Sequence, residues 1–262
     1  EKKLSKSKVI LLLLKKQKNK MKNRNILLIG FLFYTLRLFA QTEYTVNLYD
    51  AQRERIVPIA IYEPKHVNKH TPVIIFNHGY GQNIPDSYIS YSCLTKPLAM
   101  KGYYVISIQH ELPNDLPLAM SGNFMETRMP NWERGVENIL FTIKEFKKLK
   151  PKLSWDNITV MGHSNGGDMA MLFATKHPMM AQKIISLDHR RMIMPRCSSP
   201  KVYTLRGSDY GADENVIPTV EEQQKYHISV IQLNDIKHGD MDNKGKREQH
   251  DTILYYLYKF LK

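Results

Sequence analysis

Short apolar runs separated by long polar intervals set the pattern of this chain: Val73-Ile74-Ile75-Phe76, Tyr104-Val105-Ile106-Ser107-Ile108, Ile158 to Met161, Ile184-Ile185-Ser186-Leu187, Val202 to Leu205 and Val230 to Leu233. A strand without polar alternation has both faces buried, which demands layers packed above and below it. Upstream, Tyr44 to Tyr49 and Val57 to Tyr62 flank a short connection holding Asp50 and Arg53, the pattern of an opening antiparallel pair.

The intervals supply the covering layers. Trp132, Val136, Ile139, Leu140, Ile143 and Phe146 recur at helical spacing, with Lys and Glu on the other face. A second helix is expected directly after Ser164, with Met169, Leu172 and Phe173 as its apolar stripe. A third is expected over Gln249 to Leu261 through Ile253, Leu254, Leu257 and Phe260. Alternating strands and helices predict an α/β fold, a mostly parallel, doubly wound sheet with helices on both faces. Such sheets bind ligands at the carboxyl ends of their strands, so residues just beyond each run are the candidates for chemistry.

The first forty of the 262 residues stand outside this pattern. Met21-Lys22-Asn23-Arg24, the apolar stretch Ile26 to Leu36 and Phe39-Ala40 before Gln41 give residues 21–40 the order of a secretory signal peptide. Leu38 and Arg37 depart from the usual cleavage pattern, and an uncleaved leader would tether the chain to a membrane. Residues 1–20, with Lys-rich flanks around Val9 to Leu14, are too short an apolar stretch to span a bilayer and read as an upstream or artefactual segment. Residues 41–262 are then a single domain, secreted or periplasmic. The leader changes the charge as well. It holds 11 of the 38 basic residues and one of the 25 acidic ones, so the net charge of +13 falls to about +3 without it, which excludes nucleic acid as the partner. Cys93 and Cys197 are read as two free thiols, with pairing in an oxidising compartment as the alternative.

Gly162-His163-Ser164-Asn165-Gly166-Gly167 stands at a strand's carboxyl end and has the form of a nucleophile elbow, in which glycines permit a strained turn that exposes the serine hydroxyl. That hydroxyl is a poor nucleophile near neutral pH, so it needs a histidine to take its proton and a carboxylate to orient the histidine. His238 is the histidine just after the last apolar run; His227 precedes that run and His250 falls in the terminal helix. Two aspartates compete for the acid. Asp209, in Arg206-Gly207-Ser208-Asp209, occupies the commoner position for this topology and equally suits a turn. Asp188 ends the preceding run and equally suits an ion pair with Arg190 or Arg191. In Asn77-His78-Gly79-Tyr80-Gly81, the backbone N–H of Tyr80 is one expected oxyanion donor and that of Asn165 the other.

Other chemistries lack their signatures. No Gly-Lys-Ser, Gly-Lys-Thr or dinucleotide glycine pattern occurs, and no pair among His78, His110, His163 and His189 has zinc-motif spacing, so neither a cofactor nor a metal is expected. Met125, Met129, Met192 and Met194 suit either an adaptable acyl pocket or core packing.

Several blocks together carry a likeness: Phe76-Asn77-His78-Gly79-Tyr80-Gly81, Leu98-Ala99, Gly102-Tyr103, Gln109-His110-Glu111, Gly162 to Gly167 and Leu187-Asp188. In this order the chain resembles the platelet-activating-factor acetylhydrolase and dienelactone-hydrolase-like branch of the α/β-hydrolase superfamily. The resemblance implies an α/β-hydrolase fold, Asp188 rather than Asp209 as acid, Ser164 as nucleophile and His238 as base. The chain is shorter than that family, which places phospholipid substrates in doubt. The expectation is a secreted serine esterase acting on a small-molecule ester, acylated or lipid-like, through an acyl-enzyme. A peptidase or acyltransferase shares this machinery, and a non-catalytic binding protein on the same fold is the alternative of another class.

Overall fold

The computed structural model describes residues 42–262; the leader expected at residues 21–40 and the upstream segment lie outside the described residues. Eight strands form one sheet: β1 (Thr42–Asp50), β2 (Arg55–Glu63), β3 (Pro72–Asn77), β4 (Tyr104–Ile108), β5 (Ser154–His163), β6 (Lys183–Leu187), β7 (Lys201–Arg206) and β8 (Ser229–Gln232). Their order is β1-β2-β4-β3-β5-β6-β7-β8. The expected opening pair is antiparallel, with Thr42 opposite Glu63 and Asp50 opposite Arg55, and β2 also runs antiparallel to β4. Every other neighbour is parallel.

Among the described residues six α-helices, α1 (Ser92–Met100), α2 (Phe124–Thr127), α3 (Met129–Leu149), α4 (Ser164–Lys176), α5 (Val220–Tyr226) and α6 (Arg247–Leu261), and two 3-10 turns, Ser87–Ile89 and His238–Asp240, complete the fold. The unbroken apolar runs do what their composition requires. On β3, Val73 and Ile75 point to one layer, where Trp132, Val136 and Ile139 of α3 and Met169 and Phe173 of α4 meet them. Ile74 and Phe76 point to the other, against Leu94 and Leu98 of α1 and Ile253 and Leu257 of α6. Burying a side chain of this size stabilises by about 1.5–3 kcal/mol, so the two layers fix the sheet firmly and leave the carboxyl ends of β3, β5, β6 and β8 to position loops.

The sequence pattern did not mark α1, α2 or α5. In α1 the apolar positions Leu94, Leu98 and Ala99 are interrupted by Pro97, which cannot donate to the Cys93 carbonyl one turn back. Burial against the sheet holds that helix together despite the missing bond. The methionine alternative resolves toward packing. Met192 and Met194 are buried in the core, Met129 packs against it and Met125 is exposed. Cys93 and Cys197 are both free.

Candidate active site

The turn from β5 into α4 is tight in a way only glycine tolerates at two positions. A Cβ on Gly162 would lie 2.2 Å from the Gly166 carbonyl oxygen, and one on Gly166 would lie 2.3 Å from the Asn77 carbonyl oxygen. Between them Ser164 sits at φ 52°, in the left-handed region that costs a non-glycine residue free energy of order 1–3 kcal/mol. The turn lifts the serine hydroxyl out of the sheet end and leaves the N–H groups of the first turn of α4 without intrahelical acceptors.

Three of the residues singled out in the sequence meet there. Ser164 Oγ is 2.9 Å from His238 Nε2, and His238 Nδ1 is 2.6 Å from Asp188 Oδ2. A carboxylate accepts only, so Nδ1 carries the ring proton and Nε2 is left to accept from the serine hydroxyl. Asp209, the other candidate, does not reach the imidazole. It is exposed, and its Oδ1 accepts from the His238 backbone N–H at 2.9 Å, holding the loop rather than the ring.

Asp188 follows β6 at φ 51° and is fully buried. Its Oδ1 accepts from the Gly207 N–H at 3.0 Å and faces Arg206 Nη2 at 2.9 Å, while Arg190 Nη2 lies 3.3 Å from Oδ2. Burial opposes its ionisation, but the His238 hydrogen bond, the Arg206 charge and the Gly207 N–H outweigh burial and hold the carboxyl below the ordinary carboxylate range. The expected ion pair with Arg190 is present; the stronger partner, Arg206, comes from the end of the next strand.

Histidines flanking the blocks act as struts. His163 Nε2 lies 3.1 Å from the His238 carbonyl, so it donates there, and its Nδ1 accepts from the Tyr91 hydroxyl at 2.7 Å. That hydroxyl in turn accepts from the Gly79 N–H at 3.0 Å. Burial, then the neighbouring His238, pushes the His163 ring down to about 3, so it remains a neutral tie between the two loops. Among the described residues no group of three or more His, Cys, Asp or Glu side chains is arranged to hold a metal.

A second buried network lies behind both expected oxyanion donors. Glu111 Oε1 accepts from the side-chain amides of Asn131 at 3.0 Å and Asn165 at 3.1 Å, while Asn165 Oδ1 accepts from the Trp132 indole N–H at 2.8 Å. The polar residue after Ser164 is therefore fully engaged, which also anchors its backbone N–H. On the other donor, His78 Nδ1 donates to the Gly79 carbonyl at 2.6 Å, and His78 Nε2 accepts from the His110 N–H at 3.0 Å. Because the Gly79–Tyr80 peptide is trans, fixing its carbonyl fixes the opposite direction of the Tyr80 N–H. Glu111 was not among the residues singled out for chemistry in the sequence. The signal was an acid placed just beyond a continuous apolar strand.

Two cavities open on Ser164. The larger, about 460 Å³, is lined by Tyr80, Ser87, Tyr91, His163 and His238; the smaller, about 250 Å³, is lined by Tyr80, Asn165 and three arginines.

The family model for BD-FAE matches residues 59–199, more than half of the chain. The chain belongs to the BD-FAE family. The BD-FAE match, within the α/β-hydrolase superfamily, takes in the Asn77 to Gly81 loop, Ser164 and Asp188 and ends before His238. No curated protein matches the chain. Among solved structures, esterase 2 of Thermogutta terrifontis, phosphoramylated by tabun, is similar with a TM-score of 0.62 at 12% identity, over 84% of this chain and 93% of that one. A dienelactone hydrolase-like promiscuous phosphotriesterase from metagenomic libraries gives 0.62 at 12% identity, over 85% and 99%. A putative dipeptidyl aminopeptidase IV from Bacteroides ovatus gives 0.59 at 13% identity over 84% of this chain, which spans 35% of that longer protein. At these identities the likeness is one of fold, and it is the α/β-hydrolase fold that the BD-FAE family shares.

Proposed function

We propose that this chain is a serine hydrolase that cleaves carboxylic esters through an acyl-enzyme. The observation that carries the reading is the continuous line Asp188, His238, Ser164, with contacts of 2.6 and 2.9 Å and the proton order that a buried carboxylate imposes. In this reading Ser164 Oγ attacks the ester carbonyl while His238 Nε2 takes its proton, and Asp188 stabilises the imidazolium that forms. The N–H groups of Tyr80 and Asn165 receive the oxyanion, each worth about 3 kcal/mol of transition-state stabilisation. His238 then gives its proton to the departing alcohol, and water releases the acid by the same route. Esterases among the structures of similar fold support an ester over an amide. We further propose export, on the strength of the leader at residues 21–40, with the N-terminus of the exported form as its check.

Ser164→Ala is expected to abolish turnover of a p-nitrophenyl short-chain ester with an unchanged circular dichroism spectrum. Retained turnover, or failure of a fluorophosphonate to label Ser164, overturns the reading and favours a non-catalytic binding protein.

A further inference from the structure

The chemistry above leaves the smaller cavity beside Ser164 without a role. Arg128, Arg190 and Arg191 converge on it, and Asp168 is the acidic residue in its wall. Each guanidinium carbon lies over an aromatic ring: those of Arg128 and Arg191 are 4.3 and 4.7 Å from the Phe124 centroid, and that of Arg190 is 4.3 Å from that of Tyr210. A guanidinium attracted to a ring face keeps its N–H groups as donors. Their existing partners do not use those donors up. Arg128 donates through Nε to the Ala119 carbonyl at 2.8 Å and forms no ion pair among the described residues. Arg191 pairs with Asp213, and Arg190 with Asp188, yet the Nε atoms of both are buried without a hydrogen-bond partner. Asp188, Asp213 and Asp168 match the three arginines in number, so the cavity offers unused donors rather than net charge; Asp168 spends Oδ1 on the N–H groups of Arg191 and Met192 at 3.0 and 2.8 Å.

Position relative to His238 tells which part of an ester this cavity receives. The leaving oxygen must take its proton from His238, which lines the larger cavity. The smaller cavity touches Ser164, Asn165 and Tyr80 but not His238, so it takes the acyl side.

Building on the esterase reading, we infer that the acyl group carries an anionic end, and that the substrates are esters of short dicarboxylic acids whose free carboxylate is held by Arg128 and Arg191. Ser164 Oγ bonds to the ester carbon, the bond to the alcohol oxygen breaks, and the serine proton passes through His238 to the alcohol. Water then adds to the acyl-enzyme, releases the dicarboxylate and restores the serine hydroxyl.

The test compares kcat/KM for the monoethyl esters of malonate, succinate and glutarate with the neutral ethyl esters of equal acyl length. At the best length the hemiester is expected to be preferred by about tenfold or more, the scale of a charge-assisted contact. Arg128→Met and Arg191→Met are expected to erase that ratio, and Arg128→Lys, which keeps the charge, to restore part of it. A ratio at or below unity at every length, or one unchanged in both methionine variants, overturns the inference while neutral-ester turnover leaves the esterase reading standing. If no ester is turned over, calorimetry of monoethyl glutarate with the Ser164→Ala chain decides independently. Binding that disappears in Ser164→Ala/Arg191→Met upholds the anion site, and no binding overturns it.

Discussion

Asp188 and Asp209 show how one residue position is chosen over another. Both follow neighbouring parallel strands and both touch His238, one at the ring and one at the backbone. Asp188→Asn leaves an amide where the imidazole proton needs a carboxylate, so kcat is expected to fall about 10³–10⁴-fold. Asp209→Ala removes a single backbone tether and is expected to cost about tenfold or less, since such a bond contributes about 1 kcal/mol. A larger loss at Asp209 in steady-state kinetics would reverse the assignment. That Ser164 and His238 would meet was legible in the sequence because each follows an apolar run in the required order. Which aspartate meets the ring was not decided by the residues alone, because strand order in the sheet sets which of the two faces it. Here β6 lies next to β5 and sends Asp188 under the loop after β8, while the Asp209 side chain ends at that loop's main chain.

At the scale of elements, the loop after β3 and the start of α4 are tied to a common support after β4. Glu111 holds Asn165 directly, and His110 holds His78, whose ring fixes the Gly79 carbonyl. On the proposed mechanism Glu111 acts as a positioning residue. Glu111→Ala is expected to lower kcat by about 10²-fold with little change in KM, the pattern of a lost transition-state interaction. Glu111→Gln, which keeps an acceptor toward Asn131 and Asn165, is expected to retain most of kcat. A rise in KM at constant kcat would refute the positioning role. Helix α1 belongs to this scale as well, since its proline hid it from periodicity while tertiary packing on the sheet kept it helical. The place of Glu111 just beyond an apolar strand was legible but its partners were not, since Asn131 and Asn165 lie 20 and 54 residues away along the chain.

For the molecule as a whole, two buried aspartates pull stability in opposite directions with pH. Asp188 is held below the ordinary carboxylate range, so its contribution is present above about pH 4 and is lost as the pH falls further. Burial pushes the Asp168 carboxyl up to about 6. Its folded value exceeds the unfolded one, so the stability it confers is present below about pH 4 and is lost as the pH rises through about 6, by about 3 kcal/mol. Asp168→Asn keeps the Oδ1 acceptor and removes the charge. Its melting temperature is expected to exceed that of the parent by several degrees near pH 8 and to match it near pH 4. Equal melting temperatures across that range would show that the Arg128 charge already compensates Asp168.

The Tyr80 ring, which lines both cavities and accepts the Leu118 N–H on its hydroxyl at 3.1 Å, is a wall hung from outside the sheet. On the proposed mechanism the reacting groups are mounted on strand ends, whereas the boundary between the acyl and alcohol compartments is tethered to the stretch between β4 and α2. Changes in that stretch can therefore redraw the compartments while serine, histidine and aspartate stay where they are, which makes the range of accepted esters an evolvable property separate from the power to cleave them.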